Sequence, residues 1–148
     1  MLRVHATCIA IDGRGILLRG PSGSGKSDLA LRLIDEGALL VSDDQVILTE
    51  ADGGLTASAP ATIAGRMEVR GIGIVSMPHL PQVGLTLVVD LVAAAKIERM
   101  PEAACCRLGG VDLPAIALAP FEPSAPAKLR LAVRRLPGGR LAVRRLHR

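Results

Sequence analysis

Apolar residues dominate from Val4 to Ile11, give way at Asp12-Gly13-Arg14-Gly15, and return in Ile16-Leu17-Leu18-Arg19. Two apolar runs around a turn-forming tetrapeptide predict a β-hairpin, with His5 on its first strand. The hairpin feeds Gly20-Pro21-Ser22-Gly23-Ser24-Gly25-Lys26-Ser27, after which Leu29, Ala30, Leu33 and Ile34 recur at helical spacing and Gly37 supplies a stop. Leu39-Leu40-Val41 predicts a short buried strand ending at Ser42-Asp43-Asp44, and Gln45 to Thr49 continues it to the turn Ala51-Asp52-Gly53-Gly54. Leu55 to Ala59 pairs back until Pro60. Met67-Glu68-Val69-Arg70 and Ile72 to Met77 flank two glycines, and Leu85 to Leu91 is an apolar strand with Asp90 near its end. Residues 92–100 predict a short helix that stops at Pro101. Val111 to Ala119 predicts a strand placed at a sheet edge by Pro114, and Ser124 caps a helix through Leu136. Many strands and few helices make an α/β protein with a mixed sheet.

The 148 residues, 49% of them hydrophobic, suffice for one ordinary core and not for two comfortable domains. Neither a secretory signal nor a membrane-spanning run is present, which leads us to expect a soluble cytoplasmic protein without membrane association. Cys8 stands alone and Cys105 and Cys106 are adjacent, so no disulfide framework is expected, and no His/Cys spacing of the zinc type occurs. Charge is uneven: all 14 acidic side chains precede Lys128 and 8 of the 18 Lys and Arg lie from it onward, leaving −4 over residues 1–127 and +8 beyond. We therefore divide the single domain into a body, residues 1–127, and a basic C-terminal helix or tail, residues 128–148. Such a tail suits an acidic partner, nucleic acid or an oligomer contact, or is a solvated end. Within it Leu131-Ala132-Val133-Arg134-Arg135-Leu136 recurs as Leu141 to Leu146, one repetition and too little for a solenoid. With no Trp or Tyr and Phe121 the one Phe, stacked recognition of a base, whether of RNA or of a nucleotide ligand, is not expected, and nucleic acid is not an expected partner.

The glycine-rich stretch matches G-x-x-x-x-G-K-[ST] at every fixed position, between a predicted strand and a predicted helix. Glycines let backbone N–H groups turn inward around phosphate oxygens, and the helix that follows adds its N-terminal partial charge. Residues Gly20, Pro21, Ser22, Gly23, Ser24, Gly25, Lys26 and Ser27 are thus the candidate nucleotide-phosphate site. Lys26 offers a point charge to the β- and γ-phosphates, and the Ser27 hydroxyl is placed for Mg²⁺.

A phosphoryl-transfer site also needs carboxylates. The Asp43-Asp44 pair and Asp90 both end strands; Asp90 has the spacing of a second metal anchor, and adjacent acids favour a group that gives and takes protons. Two glycines beside Glu68 imply close approach to that strand, making Glu68 a further candidate.

These residues resemble the catalytic domain of the HPr kinase/phosphorylase family in its short alphaproteobacterial form. The resemblance rests on a histidine 21 residues before the loop lysine (His5, Lys26), on Ser27-Asp28, on Leu40-Val41-Ser42-Asp43-Asp44, and on Met67-Glu68-Val69-Arg70-Gly71-Ile72-Gly73-Ile74, similar to the family signature L-E-I-R-G-L-G-I. It covers about residues 4–90. It implies a P-loop kinase fold of the HPr kinase/PEP carboxykinase-like type and ATP-dependent phosphorylation of a serine on HPr or its nitrogen-pathway paralogue, with reverse phosphorolysis in bifunctional members. Asp44 would accept the seryl proton, Ser27 and Glu68 would hold Mg²⁺, His5 and Lys26 would act on the phosphates, and Arg99 resembles the family's later catalytic arginine. A homo-oligomer is implied, although the N-terminal domain of longer members has no counterpart here. Where the family has a P-x-R-P-G-R-N-like segment tied to dephosphorylation, this chain has Pro120-Phe121-Glu122-Pro123-Ser124-Ala125-Pro126, so kinase activity is the expectation and phosphorolysis stays open. Two other readings remain beside it: a small P-loop metabolite kinase, and a nucleotide-responsive binding protein that transfers nothing.

Overall fold

The structure, a computed structural model, describes residues 1–136, so the second copy of the repeat lies outside the described residues. Strands β1 (Leu2–Val4), β2 (Thr7–Ile11) and β3 (Arg14–Arg19) lead into helix α1 (Lys26–Asp35), followed by β4 (Leu39–Ser42), β5 (Val46–Ala51) and β6 (Gly54–Ser58). Next come β7 (Arg66–Val69), β8 (Gly73–Ser76), β9 (Gln82–Leu91), β10 (Ala104–Leu108), β11 (Val111–Leu118) and helix α2 (Ala125–Arg134). The expected α/β class with a mixed sheet and few helices is what the described residues form.

The β2–β3 hairpin closes through Asp12 and Gly13, both at positive φ (51° and 76°), as a two-residue turn whose twist matches that of the strands it joins. Helix α1 ends as its sequence predicts: Gly37 N donates to Ile34 O at 3.0 Å and Ala38 N to Leu33 O at 3.0 Å, the paired bonds of a Schellman stop, with Gly37 at φ 112°.

A nine-stranded sheet runs in the order β1-β5-β6-β9-β3-β2-β4, with β11 also paired to β9 and β10 to β11. The ten-residue β9 is the hub. It pairs antiparallel with β6 through Gln82–Gly84, parallel with β3 from Leu85 to Asp90, and parallel with β11 from Val88 to Leu91. Both neighbours of β2 are antiparallel to it, so β4 runs in the same direction as β3, β9 and β11. All four strands therefore release their following loops at one edge of the sheet, and β2 enters from that same edge. Ligand sites in parallel sheets form at this carboxyl edge because only there do loops and helix N-termini converge.

Alternation along the strands splits the core in two. Ile9, Ile16, Leu18, Leu87 and Val89 face α1 and α2 with Leu29, Leu33 and Leu129, while Cys8, Leu17, Val88, Leu48 and Leu113 fill the other face. Within the second layer Cys8 is fully buried, and loss of solvent around it pushes its thiol up to about 12, with a backbone hydrogen bond at Ile16 working against that rise. Helix α2 is tied to the body by Arg130–Glu36 at 2.7 Å and by Arg14 Nη1 donating to Val133 O at 3.2 Å.

Several expectations are corrected. The first strand breaks at a bend, so His5 lies between β1 and β2 rather than on a strand. Residues 92–100 form only a 3₁₀ turn at Ala94–Lys96, since nothing there supplies an apolar helical stripe long enough to pack. Strand β10 was not foreseen, because Cys105-Cys106 carries little strand signal. Pro114 does not mark an edge: β11 pairs with β10 at Pro114 and with β9 only from Ala115 onward, so proline sits just outside the doubly paired stretch. The terminal helix starts where expected, with Ser124 at the N-cap position and Ala125–Arg134 helical, but Ser124 makes no side-chain cap bond.

Two measurements test this packing. Leu129→Ala, which removes a fully buried contact between α2 and the sheet, should lower stability by about 2–5 kcal/mol in urea unfolding. In thiol titration at pH 8, Cys105 should react promptly and Cys8 only after denaturation.

Candidate active site

Loop residues 20–25 leave β3 and deliver Lys26 and Ser27 as the first two residues of α1. Gly25 stands at φ 99°, and a Cβ built there would lie 2.9 Å from Pro120 Cγ and 3.0 Å from Phe121 Cζ, so glycine is required both by conformation and by close approach. The buried Lys26 ammonium donates to the carbonyls of Gly20 (2.6 Å) and Pro21 (3.0 Å), which fastens the loop's far side to the helix start.

From β4 the chain enters the acid pair. Asp43 is buried, and its Oδ1 accepts hydrogen bonds from Ser27 Oγ (2.8 Å) and Thr7 Oγ1 (3.0 Å). One carboxylate oxygen thereby joins α1, β2 and the end of β4. Asp44 adopts φ 74°, a left-handed conformation uncommon for a non-glycine residue, and turns its carboxylate out toward solvent. There His5 Nε2 lies 2.6 Å from Asp44 Oδ1. Neighbours in sequence, the two acids thus have different surroundings: one is locked into the scaffold and the other is presented.

Strand β7 brings the next pair. Met67 inserts into the core and Glu68 points outward, with Arg70 beyond it on the same side. A cleft of about 440 Å³ is lined by His5, Thr7, Ser22, Gly23, Gly25, Lys26, Ser27, Asp44, Glu68, Arg70 and Phe121. The structure thus gathers His5, Lys26, Ser27, Asp44 and Glu68, which lie far apart in the chain.

Other expected site residues fall elsewhere. Gly20 and Pro21 support the loop through their carbonyls, and Ser24 packs its hydroxyl toward Gly20 without a hydrogen-bond partner, so these three do not line the cleft. Arg99 is exposed in the coil after the 3₁₀ turn and is not among the lining residues. Asp90 is held by Arg19 across the β3–β9 register, with Nε donating at 2.9 Å and Nη2 at 3.2 Å, and so serves the sheet edge rather than the cleft. Thr7, Arg70 and Phe121 were missed as individual site residues, while Asp43, expected within the acid pair, takes the scaffold role. Arg70 sits inside the glycine-flanked signature and was legible by its i+2 spacing from Glu68; Thr7 and Phe121 carry no local signal.

Among the described residues no group of three or more His, Cys, Asp and Glu side chains forms a metal cage. Ser27 and Glu68 do line one cleft, and a hydroxyl with a carboxylate suits a hard cation that completes its shell with phosphate oxygens and water.

A family model described as the HPr Serine kinase C-terminal domain matches residues 1–104, well over half of the chain. The chain belongs to that family. Family relatives include the HPr kinase/phosphorylase of Clostridium tetani, 45% identical over 89 residues, which are 60% of this chain and 28% of that protein. That of Clostridium botulinum strain Eklund 17B is 46% identical over 78 residues, 53% of this chain and 26% of the relative. The matched stretch thus spans little more than a quarter of these relatives. A solved structure of the Hpr(Ser) kinase/phosphatase from Coxiella burnetii superimposes with a TM-score of 0.81 at 29% identity, covering 90% of this chain and 95% of that one. This likeness carries the expected HPr kinase type of fold.

Thr7→Val tests the carboxylate clasp. Losing one of the two hydroxyls that satisfy Asp43 should cost about 1.5–3 kcal/mol in urea unfolding, and an unchanged midpoint would show the clasp to be dispensable.

Proposed function

We propose that this chain is an ATP-dependent serine kinase acting on an HPr-like phosphocarrier protein. The observation that carries the reading is the shared cleft in which an exposed carboxylate, Asp44, stands beside the phosphate loop with His5 held against it at 2.6 Å. Family membership and the names of the relatives supply the substrate class.

In this mechanism the N–H groups of Ser22 to Ser27 and the N-terminus of α1 hold the triphosphate, and Lys26 exchanges its two carbonyl partners for β- and γ-phosphate oxygens. Ser27 and Glu68 would hold Mg²⁺, whose chemistry here is to neutralise triphosphate charge. With Nε2–H of His5 donating to Asp44 Oδ1, Oδ2 remains to accept the proton of the incoming seryl hydroxyl. The seryl oxygen then bonds to the γ-phosphorus, the bridging bond to the β-phosphate breaks, and ADP leaves. Arg70 supplies the cation at the transferring group, the role expected of Arg99.

Phosphorolysis would run through the same residues in reverse, Asp44 returning the proton as inorganic phosphate takes the phosphoryl group to form pyrophosphate. A phosphocarrier substrate would be met in the cytoplasm, which is the location we infer, and the family resemblance supports a homo-oligomer as a proposal. Among the described residues no helix is long and apolar enough to cross a membrane.

Incubation of HPr with the full chain and Mg·ATP, read by mass spectrometry, should yield phosphoserine. Asp44→Asn should lower kcat by roughly 10²–10⁴ with little change in the KM for ATP. Lys26→Met should instead abolish ATP binding. A small-molecule product without labelled HPr would favour a metabolite kinase, and an Asp44→Asn protein as fast as the wild type would remove the proposed base.

A further inference from the structure

Phe121 is the one aromatic residue in the whole sequence, and its side chain is left 68% exposed. An isolated aromatic on a surface is ordinary, but this one lines the phosphate cleft with its ring tip over Gly25, where the loop becomes helix α1. Its backbone is fixed from below. Arg32 of α1 donates through Nη1 to Glu122 O at 3.4 Å and through Nη2 to Pro120 O, while its Nε holds Asp28 at 3.1 Å. Glu122 in turn pairs with Lys128 of α2 at 3.1 Å. The segment carrying the ring is thus clamped to the two helices that border it.

The cleft lining carries two kinds of group. His5 and Asp44 are tied through Asp43 to Ser27, and Glu68 lines the same cleft, a set that suits a transferring phosphate and its acceptor. Phe121 reaches the cleft at Gly25 as the one large apolar side chain of the lining. A nucleoside triphosphate has the same division: charged phosphates at one end and a flat aromatic base at the other. With the phosphates held along the loop and the γ-group toward Asp44, Phe121 is the large apolar side chain of the lining available to the nucleoside end.

We propose that Phe121 is the stacking platform for the purine base of the bound nucleotide. This assignment rests on the nucleotide reading of the loop and adds its missing base contact. Residue 121 lies beyond the stretch matched by the family model, so the platform belongs to the C-terminal part of this chain. Composition argued against base stacking for RNA and for a nucleotide ligand alike; the position of Phe121 at the cleft reverses that expectation for the nucleotide, because a single base needs one ring. Stacking reads the π-face rather than the base edge, so ATP and GTP should be bound with similar affinity.

The test compares nucleotides with inorganic tripolyphosphate, by calorimetry on the full chain in the presence of magnesium. Phe121→Ala should weaken ATP and GTP by roughly 10-fold or more and leave tripolyphosphate unchanged. The chain contains no Trp, so Phe121→Trp creates a single fluorophore whose emission ATP should quench and tripolyphosphate should not. Equal ATP affinity in Phe121→Ala and wild type overturns the platform. Equal weakening of ATP and tripolyphosphate also overturns it, by assigning Phe121 to loop structure. Wild-type protein that binds tripolyphosphate but shows no gain for ATP removes the platform while sparing the phosphate site; failure to bind either removes the nucleotide reading itself.

Discussion

One carboxylate oxygen holds the cleft together. Asp43 Oδ1 accepts from Ser27 at the start of α1 and from Thr7 at the start of β2, and its own backbone ends β4. A buried carboxylate is costly unless its lone pairs are satisfied, and two hydroxyl donors meet that demand. The phosphate loop, the segment bearing His5 and the turn bearing Asp44 are therefore registered against one another. Because Asp43 is committed inward, the left-handed backbone at Asp44 turns the next carboxylate outward, where it meets His5. The double acid thus works by division, one residue positioning and the other available for proton transfer in the proposed reaction.

Sheet direction supplies the frame on which that clasp operates. Strands β3, β4, β9 and β11 all point the same way, so the phosphate loop, the acid pair and the Pro120-Phe121 turn emerge along one edge. Glu68 arrives by another route. It lies on the separate β7–β8 hairpin, whose Met67 is anchored in the core against α1, and alternation along the strand aims Glu68 and Arg70 away from that core. A single buried methionine thereby sets the position of two charged residues.

The family match ends at residue 104, yet strand β11 and helix α2 complete the sheet edge and cover α1. Their contribution to the cleft is Phe121, carried on a turn pinned by Arg32. The acid-lined part of the cleft therefore lies within the family's matched region, and the aromatic part lies outside it.

By itself the sequence determined what depends on near neighbours. The strand–loop–helix context of residues 20–27, the Asp12-Gly13 turn, the Gly37 stop and the i, i+2 relation of Glu68 and Arg70 all follow from short-range geometry and side-chain chemistry. Only the tertiary structure decided which acid is buried, that Asp90 is taken by Arg19, that Arg99 stays outside while Arg70 enters, and that Phe121 meets Gly25 from a distant part of the sequence. Those outcomes depend on strand register and on which loops share an edge. Register is a property of pairs of segments distant in sequence, and no local pattern carries it.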